Sequence, residues 1–148
     1  TLYLSSAASD VYKRQALVRD EARCAVHIVT VPEPLAVNET IQLYQGLRER
    51  KDLHLGCLFI NRIPRVWLDE AEQRLVKAEL DLASAAEPWA PDLALAEYLV
   101  QRRKTADKCL RGLRRDIDLP TMTFDAHDED SFATIELLSE AIEHAEVW

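Results

Sequence analysis

Val26-His27-Ile28-Val29-Thr30-Val31-Pro32-Glu33-Pro34 leads into Leu35-Ala36-Val37-Asn38-Glu39-Thr40-Ile41-Gln42-Leu43-Tyr44-Gln45-Gly46-Leu47, and is answered by Leu58-Phe59-Ile60-Asn61-Arg62. Apolar residues run almost unbroken from Arg23 to Val31. That pattern predicts a strand of a parallel sheet, buried on both faces. Pro32 stops it, because proline cannot donate to the ladder. A helix is expected from about residue 35 to 50, with Val37, Ile41, Tyr44 and Leu47 on one face at helical spacing. A second buried strand is expected over residues 54–60. Two such strands joined by a crossover helix form a right-handed βαβ unit. The unit leaves Pro32-Glu33 and Asn61-Arg62 at the carboxyl ends of its strands, where open parallel sheets bind ligands.

Further along, Pro64 ends the second strand. A helix is expected at about 67–86, with Leu68, Ala71, Leu75, Ala78 and Leu82 as an apolar stripe stepping by three and four. The Glu87-Pro88-Trp89-Ala90-Pro91 turn comes next, with Pro91 suited to the first helical turn. The second helix of the pair, about 91–115, carries Ala96, Leu99, Ala106, Leu110 and Leu113, and the two helices make an αα-hairpin. A third strand is expected at 119–124, then an acidic loop over 125–130 and a closing helix over 131–144 bearing Phe132, Ile135, Leu138 and Ile142. The order β-α-β-α-α-β-α is that of the C-terminal part of a doubly wound, mostly parallel α/β sheet: three strands with a helical hairpin insertion. Three strands leave an edge with unpaired backbone groups, so further sequence is expected upstream.

The bulk numbers narrow the function. At 148 residues the chain suits one domain. A net charge of −8 argues against nucleic acid as the main partner. No apolar run reaches the roughly 18 residues of a membrane span, so direct membrane insertion is not expected. Three widely spaced cysteines make no disulfide framework and suit a reducing cytoplasm. Only three glycines occur, Gly46, Gly56 and Gly112, none near another. A Walker or dinucleotide loop needs several glycines within a few residues, so no phosphate cradle lies in this sequence.

Thr1–Gln15 shares no periodicity with the residues after it and lacks the basic start and long apolar core of a signal peptide. It resembles a translated adapter scar of the kind found at the ends of reading frames from metagenomic assembly. It is set aside from the fold as a non-native or disordered tail, with the domain taken as residues 16–148. The only methionine is Met122, which fits a start upstream of Ala16.

The run Val29–Thr40, with its Pro-Glu-x-Leu-x-x-x-Glu-Thr spelling, and the later Leu58–Arg62 resemble the C-terminal part of the ArsA-type ATPases. These are P-loop proteins that power anion export or target tail-anchored membrane proteins. The likeness covers about Ala16 to the C-terminus and is sharpest over Val26–Arg62. It implies an ATP- and Mg²⁺-dependent ATPase working as a homodimer or as fused halves, with a membrane-protein partner or client. It implies that Pro32 and Glu33 begin the adenine loop and that Asn61 contacts the base, a side-chain amide offering both donor and acceptor. Phe124 and Asp125, opening the loop that runs to His127, would approach the base from the other side. The family's Walker loop, switch segments and catalytic Asp belong to its N-terminal half and are not among these residues. No catalytic residue is assigned here, and this stretch alone is not expected to hydrolyse ATP. Cys24, Cys57 and Cys109 do not match the Cys-x-x-Cys zinc pair of the targeting branch.

Each feature also has a plainer reading. Asn61 suits a strand-to-loop turn, and Glu33 suits the N-terminus of its helix. Glu39 and Thr40 read as structural. His127 among Asp125, Asp128 and Asp130 has metal-like donors, but a capping loop is the plainer explanation. His27 reads as a hydrogen-bonded core histidine. Lys104, Lys108, Arg111 and Arg115 form a basic stripe that reads as a solvated helix face or as a surface for an acidic partner. Trp67 and Trp89 bracket the hairpin, either packing it or anchoring a partner. The alternative function is a non-enzymatic α/β nucleotide-sensing or scaffolding module that acts through that hairpin.

Overall fold

The computed structural model describes residues 2–65, 67–84, 87–126 and 132–144. Its elements are α1 (Leu2–Val18), β1 (Val26–Thr30), α2 (Pro34–Arg48), β2 (Leu55–Ile63), α3 (Glu70–Leu82), α4 (Ala90–Asp116), β3 (Thr121–Asp125) and α5 (Phe132–Glu143). The strands form one parallel sheet in the order β1-β2-β3. This is the expected α/β architecture, with the α3–α4 hairpin inserted between β2 and β3.

The core lies between the sheet and the α2–α4 layer. Ile28, Leu58, Ile60 and Ile63 from the strands meet Val37 and Tyr44 of α2 and Cys109, Leu110, Leu113 and Ile117 of α4 and its exit. Leu58, Ile60 and Leu113 are fully buried. Tyr44 carries its hydroxyl to the backbone of Asp118, 3.4 Å from the nitrogen and 3.5 Å from the oxygen. Thr30 and Thr40, both buried, place their hydroxyls 2.8 Å apart, and the Thr40 oxygen lies 2.7 Å from the Ala36 carbonyl. The pair ties β1 to α2 while satisfying two hydroxyls that burial would otherwise penalise.

Two expectations change. The unbroken apolar run of β1 predicts burial on both faces, yet Val29 is 69% exposed. Strand residues alternate between a helix-covered face and one bearing His27, Val29, Phe59, Met122 and Phe124. Aromatic rings partly shield that second face: Phe59 stacks on Phe124 with centroids 6.2 Å apart, and His27 tilts against Phe59 at 5.5 Å. The expected stripe of α3 also faces outward, with Leu75 61% and Leu82 81% exposed. Gln73, Val76 and Leu80 are the half-buried side of α3 instead, because α3 packs chiefly on α4 and not on the sheet. What starts α3 is a capping box: Asp69 accepts from the Ala71 and Glu72 nitrogens at 2.8 Å, and Glu72 accepts from the Asp69 nitrogen at 2.7 Å.

Of the Thr1–Gln15 stretch, the residues from Leu2 onward belong to α1, which continues unbroken past Gln15. Its Ala, Leu, Lys, Arg and Gln content favours helix even without packing, and Val11, Tyr12, Leu17 and Val18 are all exposed. Just after the helix, Arg19 pairs with Asp52 at 3.1 Å. No helix among the described residues is long and apolar enough to cross a membrane.

Candidate functional site at the carboxyl edge of the sheet

Parallel pairing brings the expected site residues to one edge. Pro32 and Glu33 follow β1, Asn61 lies near the end of β2, and Phe124 and Asp125 end β3. Ile63 pairs with Asp125, and the Ala126 nitrogen donates to the Ile63 carbonyl at 2.8 Å. His127, Asp128, Asp130 and Ser131 lie outside the described residues. Among the described residues, no three His, Cys, Asp or Glu side chains converge on a point that could hold a metal ion.

At the end of β1, the Glu33 nitrogen donates to the Val31 carbonyl at 2.8 Å, a tight turn that buries Pro32. Glu33 is the N-cap of α2 with extended backbone (φ −118°, ψ 141°), and Pro34 follows in the first turn. Its exposed carboxylate makes no capping hydrogen bond, so it is left for other partners at a helix end that favours negative charge.

The end of β2 holds a feature that the sequence did not reveal. Between Ile60, opposite Thr123, and Ile63, opposite Asp125, β2 contributes one residue more than β3. This is a β-bulge, a device that re-aims side chains at strand ends. Arg62 takes a left-handed backbone conformation there, φ 60°, unlike any other described non-glycine residue. That conformation costs a non-glycine residue about 1–2 kcal/mol. Asn61 offsets part of the cost, its side-chain oxygen accepting from the Arg62 nitrogen at 2.8 Å. The Asn61 amide nitrogen makes no hydrogen bond among the described residues.

The bulge splits the edge into two hollows. Asn61 opens into one beside β1, with Thr30, Val31, Glu39 and Thr40. Pro32 and Glu33 line the other, together with Arg62, Pro64, Tyr98 and Arg102. Phe124 stands apart against Phe59. The five residues therefore share one sheet edge but not one cavity. Sequence reasoning also missed Arg103: its Nη1 donates to the Pro64 carbonyl at 2.7 Å and its Nε to Asp107 at 2.9 Å, fixing the β2–α3 connection against α4.

His27 is hydrogen-bonded, as expected, but it lies half-buried on the face away from the core, and the reason is local. β2 carries a second bulge between the Val26–Leu55 and Ile28–Leu58 pairs. The Cys57 nitrogen, turned out of the ladder, donates to His27 Nδ1 at 3.0 Å. Burial pushes the thiols of both Cys57 and Cys109 up from the ordinary value. For Cys109 the Glu33 carboxylate adds to the shift. Trp67 and Trp89 are 66% and 42% exposed, so neither is packed away by the hairpin. In the basic stripe of α4, Lys104, Lys108, Arg111 and Arg115 are all exposed.

The class that fold and edge define is a parallel α/β protein with polar residues gathered at the strand carboxyl ends. No family model matches the chain, and no curated protein matches it.

Proposed function

We propose that the carboxyl edge of the sheet takes the base of an adenine nucleotide, as in the ArsA-type ATPases that the sequence resembles. The observation that carries this reading is Asn61, whose oxygen is occupied by the Arg62 nitrogen while its amide nitrogen remains to donate to a ring nitrogen of the base. The Pro32-Glu33 turn and the β3 end at Phe124-Asp125 flank it on neighbouring strands. On this reading ATP with Mg²⁺ is the ligand of the intact protein. The open outer edge of β1 has room for a strand bearing the Gly-rich loop that phosphoryl transfer requires. The residues at this edge hold the base and contribute no step of hydrolysis. Closure of a homodimer or of fused halves over the nucleotide would then drive anion export or the handling of a membrane-protein client.

The test suits weak binding, because base contacts alone should give roughly millimolar affinity. Backbone amide shifts are followed by NMR during titration with adenosine and with ATP. Both ligands should move the amides of residues 31, 33, 61–62 and 124–126, and Asn61→Ala should weaken binding about fivefold, the value of one net hydrogen bond. Absence of any shift at those positions with either ligand would sink the proposal.

A second reading rests on the hairpin. Trp67, Leu75, Leu82, Leu95 and Tyr98 are each more than half exposed, a surface suited to partner binding in a scaffolding module. Loss of a co-purifying partner on Trp67→Ala, with no response to ATP, would favour it.

A further inference from the structure

We propose that α5 of one molecule docks into the basic groove between α2 and α4 of a second copy of this chain, and that two molecules exchange α5 reciprocally.

The groove measures about 630 Å³. Its α2 wall is neutral, formed by Pro34, Val37, Asn38 and Ile41, while α4 supplies Lys108, Arg111 and Arg115. Arg115 already binds Asp116 at 2.7 Å. Lys108 and Arg111 have no ion pair among the described residues. This is a local cationic strip on a chain of net charge −8, so an acidic element of the chain itself is a natural complement.

α5 is such an element. Glu136, Glu140 and Glu143 are exposed along one face. Ile135, Leu138 and Ile142 form an adjacent apolar stripe, with Ile135 62% exposed. Among the described residues no other element packs substantially against α5. The charge spacings also match in one direction only. Laid antiparallel to α4, Glu143, Glu140 and Glu136 step by three and then four, as Lys108, Arg111 and Arg115 do. The acidic span and the basic span are each seven residues, about 10 Å. The apolar stripe then lies toward α2, where the half-buried Ile41 lines the groove and Val37 beneath it is buried in the core.

Direction also selects a second molecule. α4 runs from the carboxyl to the amino edge of the sheet, so an antiparallel α5 must begin at the amino edge. β3 releases the chain at the carboxyl edge, and only residues 126–131 separate it from α5. That length reaches roughly 20 Å, short of a path back along the sheet and around α4. Reciprocal exchange closes the assembly with two-fold symmetry.

The experiment is sedimentation equilibrium and light scattering on the whole chain without nucleotide, so its outcome is independent of the adenine proposal. At about 100 µM and low salt a dimer of twice 16.9 kDa is expected, weakening at least roughly tenfold at about 0.5 M NaCl as the charges are screened. K108E/R111E and E140K/E143K should each be monomeric and folded by circular dichroism. Mixed one to one, they should restore the dimer, since each reversed helix then meets an oppositely charged groove. A monomeric wild type at low salt would overturn the proposal. So would a dimer that survives K108E/R111E, which would move the contact to the open sheet face.

Discussion

Gly56 is the position where the smallest change should do the most local damage. A Cβ placed there would lie 2.5 Å from His27 Cε1, 2.7 Å from Nδ1 and 3.2 Å from Nε2. Carbon atoms in contact prefer about 3.5–4.0 Å, so the ring must retreat by about 1 Å. It is not free to do so: Nδ1 accepts from the Cys57 nitrogen at 3.0 Å, and the ring leans on Phe59. Retreat stretches that hydrogen bond beyond a useful length and strands a backbone N–H inside a bulge, at a cost of about 1–3 kcal/mol. Residual overpacking adds about 1–3 kcal/mol, and the lower entropy of alanine in the unfolded chain returns about 0.4–1 kcal/mol. Gly56→Ala should therefore destabilise the fold by about 2–4 kcal/mol, read as a shift in the urea midpoint. The diagnostic is the cycle with His27→Ala, which removes the ring that Cβ would strike. In that background Gly56→Ala should cost less than about 0.5 kcal/mol. If the single variant sits within about 0.5 kcal/mol of wild type, or the cost is the same in both backgrounds, the account of this bulge is wrong.

Packing and capping set the remaining expectations. Leu113→Ala, at a fully buried position, should lose about 3–5 kcal/mol in urea unfolding. Leu82→Ala, at an 81% exposed one, should stay within about 0.5 kcal/mol, which checks which side of α3 is buried. Asp69→Ala removes the capping box and should cost about 1 kcal/mol, with faster hydrogen exchange at Ala71 and Glu72. Iodoacetamide at pH 8 should modify Cys24 first, since Cys57 and Cys109 are buried and burial raises both thiols, leaving less thiolate. The same shifts fix a sign. Folding favours the protonated thiols, so their contribution is complete below the unfolded thiol range and lost as pH rises through the raised folded values; equal reactivity of all three cysteines in the native protein would contradict this.

What was legible in the sequence was whatever depends on one segment at a time. Proline punctuation and helical spacing mark out the element order, and parallel βαβ geometry then forces Pro32-Glu33 and Asn61 onto the same edge without further information. What stayed hidden depends on two segments together. Helix α3 offers two apolar stripes, Leu75 with Leu82 and Val76 with Leu80, and only its partner decides between them. Because α3 meets α4 and not the sheet, the narrower stripe is the one used. The two bulges were equally hidden, since a bulge belongs to the register between strands, and both fall in the central strand β2. That strand has nine residues against five in each neighbour, because β1 and β3 pair with staggered stretches of it, each with one extra β2 residue, at Gly56-Cys57 and at Asn61-Arg62.

Those two bulges bear on function differently. At the first, the extra residue leaves an orphan N–H that His27 satisfies from within, so the irregularity is closed off and structural. At the second, Asn61 satisfies the Arg62 nitrogen with its oxygen alone. The alternation that would have set its direction is interrupted at that point, so the bulge, and not the strand's period, decides where the Asn61 amide points. Bulges re-aim side chains at strand ends, and the side chain re-aimed here is one whose donor is unused among the described residues. A ligand at this edge would therefore depend on Asn61 and Arg62 as a pair, more than on the Pro-Glu-Pro turn beside them. Arg62→Gly provides the separating case: glycine accepts φ 60° without strain and keeps the backbone N–H that the Asn61 oxygen accepts from, so the fold should be stable or slightly more so and Asn61 should stay oriented. Adenosine-induced amide shifts at residues 61–62 should then persist in Arg62→Gly and fall in Asn61→Ala, and shifts lost in Arg62→Gly would mean that the Arg62 side chain, and not the bulge that aims Asn61, carries the ligand.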